Sequence, residues 1–183
     1  MSFKRPIRLL VTPVVFALLA KPAMALDGVA IETGHGDNTS SYRISVQSYW
    51  NKRWFTQGKW YLSGYWELDA GRWISSPGFT GNSSLTEIGI TPVFRLQSKE
   101  RYWDNVLPYV EAGIGAHLLS HTKLGNRRFS TAFQFGDHVG FGVLFGRHGQ
   151  FDLGYRFQHL SNADIKRPNN GINFNLVRFG YRF

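Results

Sequence analysis

Apolar and polar residues alternate one by one through much of this chain. The pattern is cleanest in FDLGYRF, where Phe151, Leu153, Tyr155 and Phe157 interleave with Asp152, Gly154 and Arg156. A period of two is that of a β-strand whose two faces meet different surroundings. Eight segments read this way, at about 28–35, 42–50, 59–71, 84–96, 107–118, 130–145, 151–161 and 172–183. Turn-rich pieces separate them, such as SSPGFTGNSS (Ser75 to Ser84), HTKLGNRR (His121 to Arg128) and NADIKRPNNG (Asn162 to Gly171). No helical period persists, and no repeat or linker divides the chain.

The chain opens with a basic start, Lys4, Arg5 and Arg8, then the apolar run Leu9 to Ala20 and the small-residue pattern Ala23-Met24-Ala25. This reads as a secretory signal peptide over 1–25, cut after Ala25, with one domain over 26–183. The apolar run is too short to span a bilayer as a helix. The signal carries four basic residues and no acidic one, so the mature chain keeps only part of the net charge of +9. A moderate positive balance suits an anionic partner. Nucleic acid is a poor partner for an exported chain. There is no cysteine, so a secreted domain of this size must find its stability outside disulfides, in a membrane or a closed sheet.

Composition separates those two. Aromatic residues make up 16% of the chain, with 15 Phe, 8 Tyr and 6 Trp, yet the mean hydropathy is slightly negative. A transmembrane β-barrel shows apolar side chains to lipid only at alternate positions, which gives this combination. The final strand agrees. Val177, Phe179, Tyr181 and the terminal Phe183 share one face, and Arg178 and Arg182 share the other. The expected fold is all-β, an eight-stranded antiparallel transmembrane β-barrel of the outer membrane. Closure leaves no sheet edge for lipid to face. Eight strands leave no pore. Glu67, Asp69, Arg95, Glu111, Asp152, Arg156 and Arg178 are expected to pair inside as a plug. The tryptophans Trp50, Trp54, Trp60, Trp66, Trp73 and Trp103 are expected at the interfaces or on the lipid wall.

With an even number of strands, both termini lie on the periplasmic side and the seventh strand climbs outward. The parity that sends Phe151 to Phe157 to lipid then sends His159 and Ser161 there too, at the outer end. Residues two apart on a strand lie about 7 Å apart on one face. An imidazole so placed can take the proton of a hydroxyl, which is what a serine nucleophile needs. Donors for an oxyanion are sought in the N–H groups after Ser161 and in the Asn162 side chain. His-x-Ser alone is a weak motif, and polar residues also mark where a membrane ends. Lys166, Arg167, Arg127 and Arg128 are ordinary loop charges, or else grip the phosphates of an anionic glycolipid. His117 and His138 fall on the lumen face, no histidine spacing suggests a metal site, and Gly140-x-Gly142 has no following helix to make a dinucleotide loop.

The stretch HLSNADIKRPNNGINF, His159 to Phe174, resembles the signature region of the lipid A 3-O-deacylases, the PagL family. The resemblance extends to the export signal, the eight strands and the terminal Phe. It implies an outer-membrane esterase that removes the acyl chain ester-linked at the 3-position of lipid A, with Ser161 as nucleophile and His159 as general base. It implies that the loop around Asn162 and Asn169 shapes the oxyanion site. It implies no cofactor, lipopolysaccharide and outer-membrane lipid as partners, and it leaves a homodimer open. Members of the family carry Glu after the Gly-Ile pair as the third member of the triad. Here Gly171-Ile172 is followed by Asn173, at the parity that faces lipid beside His159. Asn can still hold a histidine tautomer, though it stabilises imidazolium less. Asp164 is a candidate substitute carboxylate, but it lies beyond the strand end, where it is expected to face water. An outer-membrane phospholipase and a non-catalytic structural or adhesive barrel remain the rival functions.

Overall fold

Alternation becomes a cylinder because each strand must find two hydrogen-bonded neighbours once lipid excludes water from its edges. In the computed structural model, which describes residues 25–103 and 105–183, this closure is complete. The expected export signal falls almost wholly on residues 1–24, outside the described residues. The large strands are β1 (Gly28–Gly36), β2 (Thr39–Tyr49), β3 (Trp60–Ser75), β4 (Ser84–Ser98), β5 (Leu107–Leu119), β8 (Phe133–Phe145), β9 (Phe151–Ser161) and β10 (Ile172–Arg182). All neighbours are antiparallel, and β1 closes on β10. The loop between β5 and β8 also contains a small hairpin, β6 (Lys123–Leu124) and β7 (Arg127–Arg128), where the sequence suggested only turns. Strands of two residues are too short for any period to register.

The outward face is apolar along its length. Ile44, Leu68, Ile88, Ile90, Ile114, Val139, Phe141, Leu153, Val177 and Phe179 are all exposed. On a water-soluble protein a continuous wall of this kind would aggregate; around a barrel it is the lipid-facing belt. The lumen is the reverse. Arg156 donates to Glu32 and Glu67 at 2.6 Å each, to Glu111 at 2.7 Å and to the Tyr65 hydroxyl at 2.7 Å. Arg178 joins Glu32 and Glu67 at 2.7 Å each, and Arg95 joins Glu111 at 2.7 Å and Asp152 at 3.0 Å. The seven charges expected in the plug are all there, and Glu32, Arg43 and Glu87 extend it. Buried charge is tolerable only when paired and hydrogen-bonded, and here the pairing runs across the barrel.

Above this network, at the outer end, the lumen turns apolar. Trp73, Leu85, Leu119, Leu124, Phe129, Leu160, Ile172, Phe174 and Leu176 pack as one buried cluster. Trp73 therefore departs from the expected girdle: it is fully buried and donates to Glu87 at 2.8 Å. β3 continues to Ser75, beyond the expected end near Gly71, and odd positions of this strand point inward. Trp50 keeps company with Trp66 and Phe94 in edge contacts on the outer wall.

Candidate active site

The short connections of the barrel decide which side chains meet at its outer rim. Between β1 and β2 the chain turns on two residues, Asp37 and Asn38, with φ of 48° and 60°. Both central residues of such a hairpin need positive φ, and Asp and Asn tolerate it better than other side-chain-bearing residues. Gly36 lets this hairpin lie against β10: a Cβ there would stand 1.8 Å from the Asn173 carbonyl oxygen.

The registers then line up one row around the rim. His159 of β9 pairs with Asn173 of β10 on one side and with Asp137 of β8 on the other. Carried on by two residues, the β1–β10 register that pairs His35 with Asn175 sets Asp37 opposite Asn173. All four residues lie on the outward wall, next to the membrane's outer boundary. His159 Nδ1 and Asn173 Oδ1 are 2.7 Å apart. The backbone N–H of Asn173 donates to Asp37 Oδ2 at 2.8 Å, and its side-chain Nδ2 donates to the same oxygen at 3.4 Å. Arg127, from β7, stands 3.7 Å from that carboxylate and donates to the Gly171 carbonyl at 2.6 Å. Ser161, at the end of β9, lies on the same face two residues past His159 and pairs in register with Phe135. The ring's hydrogen bond is to Asn173 and none joins it to the Ser161 hydroxyl; bonds of this kind commonly tighten only in the complex with substrate. His159, Ser161 and Asn173 are each partly covered, neither buried in protein nor fully open.

The 162–171 loop is stapled from within. Asn162 is fully buried, and its Nδ2 donates to the carbonyls of Phe129 and Lys166 at 2.8 Å each. Its side chain is thus spent on the loop rather than offered to Ser161. The Asn162 N–H donates to Asn169 Oδ1 at 3.2 Å. An amide whose oxygen is engaged in this way presents its NH2 on the other side, and Asn169 Nδ2 has no acceptor among the described residues. Asp164, exposed and with φ of 60°, pairs with Arg167 at 3.0 Å and does not approach His159. Gly171, with φ of 56°, closes the loop against the imidazole: a Cβ there would lie 3.0 Å from His159 Cε1.

Below the row, the outward wall is hollowed. Phe141, Val143, Leu153, Tyr155, Val110 and Val177 line a groove of about 570 Å³ between β5 and β10. Gly142 and Gly154 face each other across its floor. The Tyr155 hydroxyl donates to Asn175, two residues below Asn173 on the same face. In the lumen, by contrast, Asp69, Glu87 and His117 bring three potential metal ligands within 4.8 Å. The Arg43 guanidinium already sits among them, 3.3 Å from Asp69 and 3.2 Å from Glu87, so the carboxylates have a cation.

Two residues of the rim escape a reading of the sequence. Asp137 shares parity with Phe135, Val139 and Phe141, and following that parity back down the sixth strand would have placed it on the wall beside His159. Asp37 carries no such signal, since only barrel closure brings residue 37 to residue 173.

The family profile described as lipid A 3-O-deacylase (PagL) matches residues 40–182. A lipid A deacylase PagL of Bordetella bronchiseptica is 31% identical, over 98% of this chain and 96% of that protein. Another, of Pseudomonas aeruginosa, is 33% identical over 82% of each chain. Among solved structures, that of the outer membrane enzyme PagL is 26% identical, covers 85% of this chain and 99% of its own, and superposes with a TM-score of 0.76. With the apolar belt, this likeness places the chain in the outer membrane.

Proposed function

This chain belongs to the lipid A 3-O-deacylase (PagL) family, and we propose that it hydrolyses the acyl ester at the 3-position of lipid A with Ser161 as nucleophile. The observation that carries this most is the Asn173–His159 pair on the outward wall beside Ser161, at the rim of the leaflet that holds lipid A. A polar pair set into a lipid-facing wall makes sense when the substrate is itself a membrane component.

The steps follow from the donor geometry. Asn173 holds Nδ1 of His159, which leaves Nε2 as the base. Nε2 takes the Ser161 proton as Oγ attacks the ester carbonyl carbon. The negative oxygen of the tetrahedral intermediate is met by Asn169 Nδ2, the amide donor whose orientation Asn162 sets. Collapse breaks the bond to the sugar oxygen, and His159 returns the proton to that oxygen, leaving the acyl chain on Ser161. Water, deprotonated by the same ring, then releases the fatty acid and restores the hydroxyl. The groove lined by Leu153, Tyr155 and Phe141 suits the acyl chain, and Arg127, Arg128, Lys166 and Arg167 suit the phosphates.

Mass spectra of lipid A from cells expressing the wild type, Ser161→Ala and His159→Ala test this. Loss of one hydroxyacyl chain with the wild type, absent in both variants, is expected. Unchanged lipid A in the presence of a folded barrel would refute it. Cleaved glycerophospholipids would point to a phospholipase instead, and no change in any lipid to a non-catalytic barrel.

A further inference from the structure

We infer that Asp37 is a positioning residue for His159, acting through Asn173. The inference rests on His159 being the base, as proposed above.

A carboxylate can only accept hydrogen bonds. Asp37 Oδ2 sits 2.8 Å from the Asn173 backbone nitrogen and 3.4 Å from one end of its side-chain amide. That end must be the NH2. The other end, 2.7 Å from His159 Nδ1, must then be the carbonyl oxygen. An oxygen there requires a proton on Nδ1, so the neutral ring has its lone pair on Nε2. Without Asp37, the Asn173 amide could turn over and offer NH2 to Nδ1. The proton would then sit on Nε2, and the ring could not accept one from Ser161. An amide at position 173 is ambiguous where a carboxylate would not be, and Asp37 removes the ambiguity. It also lends a negative charge, one residue removed, to the imidazolium formed during attack.

Asp37 is built into place. The two-residue turn, the Gly36 contact and the register all direct it at Asn173. Arg127 holds it from above at 3.7 Å. The only other carboxylate in the row, Asp137, faces His159 from β8, and no hydrogen bond links it to the ring.

The test compares Asp37→Asn in two backgrounds. With Asn173 present, kcat should fall about tenfold to a hundredfold, the range in which outer partners of an oriented histidine act, with KM nearly unchanged. With Asn173→Glu, whose carboxylate needs no orienting, the same change at position 37 should alter kcat less than about twofold, a non-additive pair. Nitrogen-15 spectra of the His159 ring should report one Nδ1–H tautomer in the wild type and a mixture in Asp37→Asn. Asp37→Ser serves the same spectra if the first variant folds poorly. Equal losses in both backgrounds, an unchanged tautomer, or a tautomer that follows Asp137→Asn instead, would overturn the inference. Full activity in Ser161→Ala would overturn the mechanism proposed above, while the ring spectra would still decide the role of Asp37.

Discussion

Gly171→Ala should slow the enzyme while leaving nearly all of the barrel folded. Gly171 has φ of 56°, a left-handed conformation that costs a residue with a Cβ about 1–2 kcal/mol. Replacing Gly also stiffens the unfolded chain, which returns about 0.4–1 kcal/mol. The net loss is about 1 kcal/mol, small beside the roughly 5–15 kcal/mol that holds a typical domain together. Catalysis feels a different effect. The new methyl would lie 3.0 Å from His159 Cε1 and 3.2 Å from the Leu160 carbonyl oxygen. The carbonyl belongs to the sheet, so the ring is what gives way, pivoting about its 2.7 Å bond to Asn173. A misplacement of about 1 Å costs about a hundredfold in rate. A shift of a few tenths of an ångström should therefore cost about threefold to tenfold, or about 1 kcal/mol at the transition state. Gly146→Ala is the matched control. Its φ of 88° is similarly strained, but it lies in the turn at the opposite end of the barrel. Deacylation rates on purified lipid A in detergent, with urea midpoints for both variants, separate the two effects. If Gly171→Ala is no slower than Gly146→Ala at equal folded fraction, the contact with the ring has no kinetic consequence and the reasoning fails.

Arg156→Met should destabilise the barrel by about 3–5 kcal/mol, because it takes from Glu32, Glu67 and Glu111 the one cation that all three share and leaves excess negative charge in the lumen; the rate per folded molecule should hold, and an unchanged urea midpoint would contradict this. Phe174→Ala should cost about 3–5 kcal/mol by opening a cavity against Trp73, whose ring centroid lies 5.0 Å away. Asn162→Ala should leave the Phe129 and Lys166 carbonyls without their donor, at about 1–3 kcal/mol; faster hydrogen exchange confined to the 162–171 loop, with slower deacylation, is the expected signature. Leu153→Trp should fill the outer groove and slow release of long acyl chains more than short ones. Equal slowing for both lengths would mean that the chain lies elsewhere.

Alternation was enough to find every large strand and to assign most side chains to a face. It placed Arg156, Arg178 and Glu111 inside and Leu153, Val177 and Phe179 outside, as the structure has them. It failed where a strand outran its clean period. Trp73 lies beyond Gly71, where the pattern dissolves into Arg72, Ile74 and Ser75, and was sent to the wrong surroundings. It also failed at Asp137, because a charge on an apolar face breaks the pattern that reveals the face. The small β6–β7 hairpin, whose Arg127 braces Asp37, is too short to leave any period.

The local chain, then, determined the strands, the sidedness of the wall and the nearness of His159 to Ser161, because these depend only on residues one or two apart. What supports the histidine from further off was decided by closure. Asn173 and Asp137 flank it through the registers of neighbouring strands, which parity already indicated for Asn173, whereas Asp37 arrives only because the first strand seals against the last. Contacts between positions so far apart in the chain are set by the circumference and shear of the cylinder, and no stretch of sequence records these by itself.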